Sequence, residues 1–187
     1  DEVAIYNDAL TGAEVLSNFS GSRVTDDLNA YYTFEDGTAQ DYSVNDYHGI
    51  LEDGASPVTG DTPNGTTALG FDGIDDHVLL DTGPLDGQDS FTVEAWMKLS
   101  SANFDSTSDL VSVISAMNSS NIYELQIYVR GDGNIGVIIN EELTQGGEYS
   151  PSINIIDGQW HQIVLTWNGD SNEEYLYVDG QLTNSSA

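Results

Sequence analysis

The chain has 187 residues, of which 32 are acidic and 3 are basic, so its formal net charge is −29 at pH 7. This charge argues against binding to nucleic acid or to anionic lipid, because both require clustered lysine and arginine. The hydrophobic fraction of 39% and the aromatic fraction of 10%, in segments with a clear period, indicate a folded domain with an acidic surface.

The absence of cysteine excludes a disulfide scaffold, thiolate catalysis and a cysteine zinc site. No stretch approaches the ~20 apolar residues of a membrane helix, and no signal peptide opens the chain. The abrupt beginning at Asp1 suggests a piece cut from a longer protein. An acidic excess is typical of solubility in high salt or of charge neutralised by divalent cations. A salty exterior that contains calcium satisfies both explanations.

The first 19 residues differ from the rest of the chain. Residues 1–6 alternate polar and apolar side chains, which predicts a short strand. Thr11 and Glu14 form the pattern of a capping box, so we expect a helix over about residues 11–18. Val3 and Ile5 need a sheet to cover them, because an isolated strand is not stable in water. We expect the strand at Asn29–Phe34 to be their partner.

From Asn29 onwards the pattern is that of a β protein. Gly/Asp-rich turns separate short alternating segments, and residues 131–134 give a hairpin signal. This spacing predicts an all-β fold, a two-sheet antiparallel jelly-roll sandwich with one short N-terminal helix. The predicted strands cover residues 31–34, 68–71, 77–80, 90–99, 110–115, 123–129, 135–139, 159–167 and 174–178, with those at 68–71 and 77–80 on either side of the turn 72–76.

Six segments together resemble the laminin G-like (LamG-like, concanavalin A-like lectin/glucanase) jelly-roll domain. The resemblance covers residues 28–182, and it implies two curved antiparallel sheets and a common role in binding carbohydrate or protein. It also implies a bacterial surface or secreted multidomain protein, such as an adhesin. The segments that carry it, in the family's order, are residues 28–37, 41–49, 68–78, 90–96, 157–163 and 176–180.

The resemblance departs from the family at the ends of the chain. Residues 1–14 resemble the family's final strand and helix, although they stand at the beginning of this sequence. Either this segment is the tail of a preceding repeat, or the domain is permuted or split. We therefore predict two parts: residues 1–24, a transposed terminal strand, short helix and linker packed on the sandwich, and residues 25–187, the jelly-roll domain.

Calcium is the leading hypothesis for a bound ion. The loop 41–49 offers carboxylates, hydroxyls, amides and carbonyls, which are the donors that Ca²⁺ requires. By position in the family, the resemblance implies ligation by Asp41, Ser43 or Asn45, the backbone carbonyl of His48, and Asp1 from the transposed strand. The alternative is that these are solvated turn residues. The pair Asp75–Asp76 offers a second, weaker metal site, for which a turn is the preferred explanation.

Several conspicuous residues have ordinary structural explanations. The Arg130–Gly131–Asp132 tripeptide matches an adhesive motif, but turn chemistry explains each of its residues. The histidines lack zinc-like spacing, and four sequons are common by chance in a chain rich in Ser and Asn. Strand alternation favours a core position for the tryptophans over sugar stacking. The residues concerned are His48, His77 and His161; Asn18, Asn64, Asn118 and Asn184; and Trp96, Trp160 and Trp167.

Catalysis finds little support in the sequence. Glycosidases need two carboxylates that flank the scissile bond, and retaining members of this fold class carry Glu-x-Asp-x-x-Glu on one strand. That pattern is absent, Glu173–Glu174 is assigned to a loop, and Glu94 stands alone on its strand. We therefore expect no enzyme activity.

The leading hypothesis is a calcium-stabilised, non-catalytic binding module of an extracellular or cell-surface protein. Its partners would be a carbohydrate or cell-surface ligand in an adhesive role, and neighbouring domains of the same chain, without nucleic acid or membrane insertion. Two alternatives stay open, a structural spacer repeat in an extended surface protein and a glycosidase fragment. We expect selectivity to lie in the rim loops 36–49, 72–76, 103–109, 117–122 and 144–152, because loops vary while the sandwich holds them.

Overall fold

A computed structural model describes residues 1–80, 83–117, 123–139 and 147–186. Within these ranges the chain is mostly β, with one α-helix, α1 (Gly12–Phe19), and a 3₁₀ turn at Ser101–Asn103. The strands are β1 (Val3–Tyr6), β2 (Leu28–Tyr32), β3 (Gly49–Glu52), β4 (Ser56–Thr59), β5 (Thr67–Gly70), β6 (His77–Leu80), β7 (Phe91–Ser100), β8 (Leu110–Met117), β9 (Tyr123–Arg130), β10 (Ile135–Ile139), β11 (Glu148–Tyr149), β12 (Asp157–Asn168), β13 (Glu173–Val178) and β14 (Gln181–Ser186).

Two antiparallel sheets form the sandwich. The larger has the order β14-β13-β12-β7-β1-β2, and the smaller has the order β11-β10-β9-β8. Their facing sides share one apolar cluster, to which Val93 and Ile163 of the large sheet and Ile127 and Val137 of the small sheet contribute. β3–β6 and β4–β5 form two further antiparallel pairs. The predicted fold class, an all-β jelly-roll sandwich with one short helix, is confirmed.

The N-terminal strand lies inside the large sheet, between β2 and β7. Val3 pairs with Tyr32 on one side and with Ala95 on the other. The pairing with β2 is the one that the sequence predicted, and the pairing with β7 was not predicted. α1 begins after Thr11 with the predicted capping box, in which Thr11 and Glu14 satisfy each other's backbone N–H groups. The division of the chain at residue 24 remains a prediction.

Alternation along β7 and β12 sends side chains to two different environments. Phe91, Val93 and Met97 enter the core between the sheets. Trp96 faces the other side of the large sheet, where its ring stacks on Phe19 of α1 with the centroids 5.7 Å apart. The prediction that Trp96 and Trp160 lie between the sheets is wrong. Alternation shows that odd- and even-numbered residues of a strand lie on opposite faces, but it does not show which of the two faces is the core. Trp167 is buried in the core as predicted.

The two strands predicted on either side of the turn 72–76 are present as β5 and β6, and β5 pairs with β4 while β6 pairs with β3. Strands β3, β4, β11 and β14 were not predicted. They are short or polar. β4 also contains Pro57, and proline disfavours a strand because it has no backbone N–H to donate. Pro57 is tolerated because β4 belongs to a two-stranded pair with a free edge.

Candidate functional site

A groove of about 2240 Å³ lies on the described part of the molecule. β8, β6 and the turn 72–76 all contribute to its lining. Large apolar side chains that are exposed to solvent line it, and contiguous exposed apolar surface is typical of interaction sites. They are Val58, Phe71, Ile74, Leu79, Leu110 and Met117.

One end of the groove carries a polar and aromatic cluster around Asp61, which lies on the loop between β4 and β5. The Lys98 ammonium lies 2.6 Å from an Asp61 carboxylate oxygen. The Trp160 indole Nε1–H donates to the Asp61 backbone carbonyl at 2.7 Å. This hydrogen bond fixes the indole ring of Trp160, which is only partly buried. We call Asp61, Lys98 and Trp160 the Trp160 cluster.

The sequence did not predict the Trp160 cluster. Asp61 and Trp160 are 99 positions apart, and their contact depends on the loop crossing the end of the large sheet. One signal was available in the sequence. Lys98 and Trp160 lie four residues from Glu94 and Val164 on two alternating strands, so each shares a face of its strand with that residue. Those strands do pair, with Lys98 opposite Trp160.

The loop predicted to bind calcium is organised around a buried carboxylate. Asp41 Oδ1 accepts from the backbone N–H groups of Tyr31 and Ser43, both at 2.8 Å. Its Oδ2 accepts from the Ser43 hydroxyl at 2.7 Å and from the Tyr47 N–H at 2.9 Å. Burial works against the charged form, but these four hydrogen bonds outweigh it and lower the pKa of Asp41 below its usual value of 3.8. All four acceptor positions of the carboxylate are therefore used by protein donors.

The neighbouring predicted ligands also serve the loop itself. The Ser43 hydroxyl and the Asn45 amide both donate to the Asn29 carbonyl, at 2.9 and 3.0 Å. His48 Nδ1 accepts from the Asp41 N–H at 3.0 Å. In this arrangement the donor set does not fit a cation, which would have to displace Ser43 and backbone donors from Asp41. Calcium at this loop stays a prediction.

The structure does not bring Asp1 to the Asp41 loop. The Asp1 amine donates to the Trp96 carbonyl of β7 at 2.8 Å. Asp41 bridges to Tyr32 on the opposite side of β2. Two strand spacings, about 10 Å, therefore separate their backbones. The Asp1 carboxylate oxygens are buried without a hydrogen-bond partner among the described residues, so any cation they attract would be held apart from Asp41.

A second acidic group lies at the turn 72–76, on the wall of the groove. Carboxylate oxygens of Asp72, Asp75 and Asp76 lie within 4.8 Å of one another. Two of them also support the turn, since Asp76 Oδ2 accepts from the Asp72 N–H and Asp72 Oδ1 accepts from the Ile74 N–H, both at 2.8 Å. The group is largely exposed, and its spare oxygens are hard donors of the kind that divalent cations prefer. The sequence singled out Asp75 and Asp76 and omitted Asp72.

The two buried glutamates of the large sheet face opposite ways. The sequence placed Glu174 both in a loop with Glu173 and at the start of the predicted strand 174–178. It lies in β13, as the strand prediction has it, is buried, and accepts a hydrogen bond from the Tyr149 hydroxyl. Glu94 lies on the outer face, beneath α1, where its side chain is 1% exposed. A sheet separates the two carboxylates, so they cannot flank one glycosidic bond.

Glu94 is held by three donors from different parts of the chain. Asn18 Nδ2 donates to it at 2.7 Å, Gln162 Nε2 donates at 3.0 Å, and the Arg23 guanidinium lies at 3.5 Å. Burial lowers the pKa of Arg23, but Glu94 and other neighbouring groups outweigh burial and raise it. Arg23 also pairs with Glu2 at 3.2 Å. This network ties the N-terminal segment to the sandwich, and it serves the fold.

The remaining flagged residues have partners that explain them. Arg130 pairs with Glu148 at 2.7 Å and lies 3.7 Å from Asp132, so the tripeptide is folded back on its own hairpin. Gly133 has a φ of 84°, as the predicted turn requires. His161 is buried between two carboxylates, with Asp179 at 2.9 Å and Asp157 at 3.2 Å. Residues 118–122 and 144–146 of the predicted rim loops, with the sequon at Asn118, lie outside the described residues.

Comparison with known proteins agrees with this architecture. Two antiparallel sheets around one core, with a groove along one side, define a jelly-roll domain of the lectin type. The laminin G-like model of the concanavalin A-like lectin/glucanases superfamily matches residues 72–187, well over half of the chain. The chain belongs to this superfamily, whose description names carbohydrate binders and carbohydrate-cleaving enzymes. It is therefore a binding or carbohydrate-related module.

Two further findings bear on its context. No match to a curated protein reaches significance. Within the described ranges, no helix is both long enough and apolar enough to cross a bilayer.

Proposed function

We propose that this domain is a non-catalytic binding module of an extracellular or cell-surface protein, and that it recognises carbohydrate on a cell-surface partner. The observation that carries the proposal is the open groove with the Trp160 cluster at one end. The two buried glutamates, Glu94 and Glu174, lie outside the residues that line it. A concave site with apolar walls and a few fixed polar groups is suited to binding.

The Trp160 cluster has the chemistry that a sugar requires. The indole ring offers an apolar face to the C–H face of a pyranose, and its orientation is held by the hydrogen bond to Asp61. Lys98 supplies donors and Asp61 supplies acceptors to the hydroxyl groups around the ring. We propose binding rather than cleavage because the two buried glutamates, Glu94 and Glu174, lie outside the lining of the groove.

A glycan array tests the proposal with the protein and a Trp160→Ala variant. We expect the variant to lose sugar binding at least tenfold with its cooperative unfolding retained, since the ring lies at the end of the sheet. Tyr42→Ala is the matched control, because Tyr42 is an exposed aromatic residue outside the groove. Equal binding by Trp160→Ala and the unaltered protein would refute the site. Hydrolysis of a bound sugar would favour the glycosidase alternative, and the absence of any ligand would favour the spacer.

Calcium stabilisation is the second part of the proposal. The exposed oxygens of Asp72, Asp75 and Asp76 support it better than the Asp41 loop does, because the Asp41 carboxylate has no acceptor position to spare. A ligand that binds only the folded state at a hundredfold excess over Kd stabilises it by about 2.7 kcal/mol. We expect millimolar calcium to raise the melting temperature above that in magnesium at matched ionic strength.

Variants locate the ion. Asp75→Asn should abolish the calcium-specific rise in melting temperature, whereas Asp26→Asn, at an exposed position away from both loops, should preserve it. Loss of the rise in Asp41→Asn alone would return the site to the loop that the sequence predicted. Equal melting temperatures in calcium and magnesium would refute a specific calcium site.

A further inference from the structure

One edge of the small sheet is a long strand that, among the described residues, pairs on one side only. β8 is the last strand in the order β11-β10-β9-β8, and its eight residues pair with β9 on one side only. In the described chain, no turn or loop makes a backbone hydrogen bond to residues 110–117 on the other side. In an antiparallel strand every second residue directs its N–H and C=O to such an edge, so β8 presents a row of unpaired backbone groups.

Two other edges of the sandwich are short or covered, whereas β8 has no backbone partner on its free side among the described residues. At the opposite end of the same sheet, β11 has two residues. On the large sheet, the Asp41 loop covers β2, where the Tyr42 N–H donates to the Tyr31 carbonyl at 2.7 Å. Proteins blunt free edges with lysine, proline, charge or a covering segment. β8, with the sequence LVSVISAM, has no charged residue and no proline.

The edge strand contributes to the groove. All eight residues of β8 line it, and Leu110 and Met117 at the two ends of the strand are about half exposed, at 55% and 54%. Phe71 and Leu79 line the same groove. Its volume of about 2240 Å³ exceeds the roughly 300–1,000 Å³ of small-molecule sites, so it has room for a polypeptide segment.

Charge identifies the kind of polypeptide. The groove that β8 lines also carries the exposed carboxylates of Asp72 and Asp75 and the partly exposed Asp76, and the whole chain has a net charge of −29. A second copy of this chain would bring the same acidic walls against each other. A basic segment would be attracted to the groove before it paired. We propose that β8 binds an extended basic peptide of a partner protein by strand addition, independently of carbohydrate binding at the Trp160 cluster.

Hydrogen exchange and titration test this proposal on the full chain. The probes are synthetic peptides in which valine or threonine alternates with lysine. The controls are peptides of the same sequence with N-methylated backbone amides, and peptides with glutamate in place of lysine. Strand addition requires the peptide's own N–H groups, so N-methylation should weaken binding at least tenfold while leaving the charge unchanged. The glutamate peptides should not bind.

The location is read from the amides of residues 110–117. We expect alternate amides of β8 to exchange at least tenfold more slowly when the lysine peptide is bound, and Tyr42→Ala, at an exposed position outside the groove, to leave this protection intact. If the N-methylated peptide binds with the same affinity, or if the β8 amides stay unprotected when the lysine peptide is bound, the proposal is overturned and the peptide is attracted by charge alone. Protection caused by self-association, measured by sedimentation without peptide, would overturn it in favour of a second copy. A failure of every lysine peptide to bind would also overturn it.

Discussion

On its inner face the large sheet contributes Val93, Ile163 and Leu165 to an apolar core, whereas on its outer face the same strands place Glu94 and Gln162 beneath α1. Both faces have parts that are closed to water, and Glu94 is as buried as the core residues. The inner face is closed by apolar contact with a second sheet. The outer face is closed by a short helix that supplies Asn18, and by the following Arg23, which neutralises the buried charge.

The difference teaches how the N-terminal segment is attached. Apolar contact is non-directional, so the inner face tolerates repacking. A buried carboxylate is stable only while its partners stay in place, because losing one of them leaves an uncompensated charge. The outer face therefore specifies the position of α1 and Arg23 through few, directional contacts, whereas β1 is placed by its pairing with β2 and β7. The inner face supplies most of the stability.

The largest effect should come from the inner face. Leu165 is fully buried between the sheets, so Leu165→Ala should lower the free energy of unfolding by about 4 kcal/mol, through lost burial and the cavity left behind. Urea denaturation measures it. Leu182→Ala is the control, since Leu182 is 54% exposed and its loss should cost about 0.5 kcal/mol or less. A similar cost for both variants would mean that the core lies elsewhere.

The ionic contact of the outer face should come next. Arg23→Met removes the cation beside Glu94 and should cost about 3 kcal/mol, at the low end for a broken buried pair because Arg23 remains 19% exposed. Arg130→Met is the matched control on a surface pair, with an expected cost below about 1 kcal/mol. Adding Glu94→Gln to Arg23→Met should restore part of the loss. If the two arginine variants unfold alike in urea, Arg23 is not holding a buried charge.

A smaller effect is expected from the neutral partner of Glu94. Asn18→Ala removes the amide that donates to Glu94 and the oxygen that accepts from the Val24 N–H at 2.7 Å, so it should cost about 2 kcal/mol. Asn64→Ala, which removes an exposed contact to Glu2, is the control and should cost less than about 1 kcal/mol. Chemical denaturation of both variants decides whether the helix is tied to the sheet by this hydrogen bond.

Asp41 sharpens the comparison, because its charge is held by neutral donors alone. Its pKa is lowered in the folded protein, so its contribution to stability is present above the unfolded value of about 3.9 and is lost as the pH falls through the folded pKa. Asp41→Asn should cost about 1.5 kcal/mol at pH 7. The difference from the unaltered protein should shrink below about pH 4. A difference that stays constant from pH 7 to about pH 2 would show that the Asp41 charge does not matter.

The sequence predicted the local features well. The helix was marked by Thr11 and Glu14, and the hairpin by Gly131–Asn134, because caps and turns depend on side chains that act within a few residues. The long strands β7 and β12 followed from alternation. The short strands β3 and β4 did not, since four residues carry too little periodicity to stand out.

The candidate site was less predictable. Asp41 was singled out as a cation ligand, whereas its hydrogen bonds to Tyr31 and Tyr47 depend on how the loop folds against β2. Asp61 was not singled out at all, because its role depends on a loop that reaches Trp160 across the sandwich. The acidic turn 72–76 was recognised in part, since its residues are adjacent in sequence.

By itself, the sequence determined the class of fold, the position of the helix and the acidic surface. The hydrophobic period, the helix cap and the composition can each be read from residues close together in the sequence or from a sum over the chain. None of them depends on which residues are neighbours in space. Only the tertiary structure decided that β1 lies between β2 and β7, that Glu94 is buried rather than solvated, and that β8 is the last strand of its sheet. These outcomes depend on which strand lies beside which, and a side-chain period of two is the same for a buried face, a solvated face and a free edge.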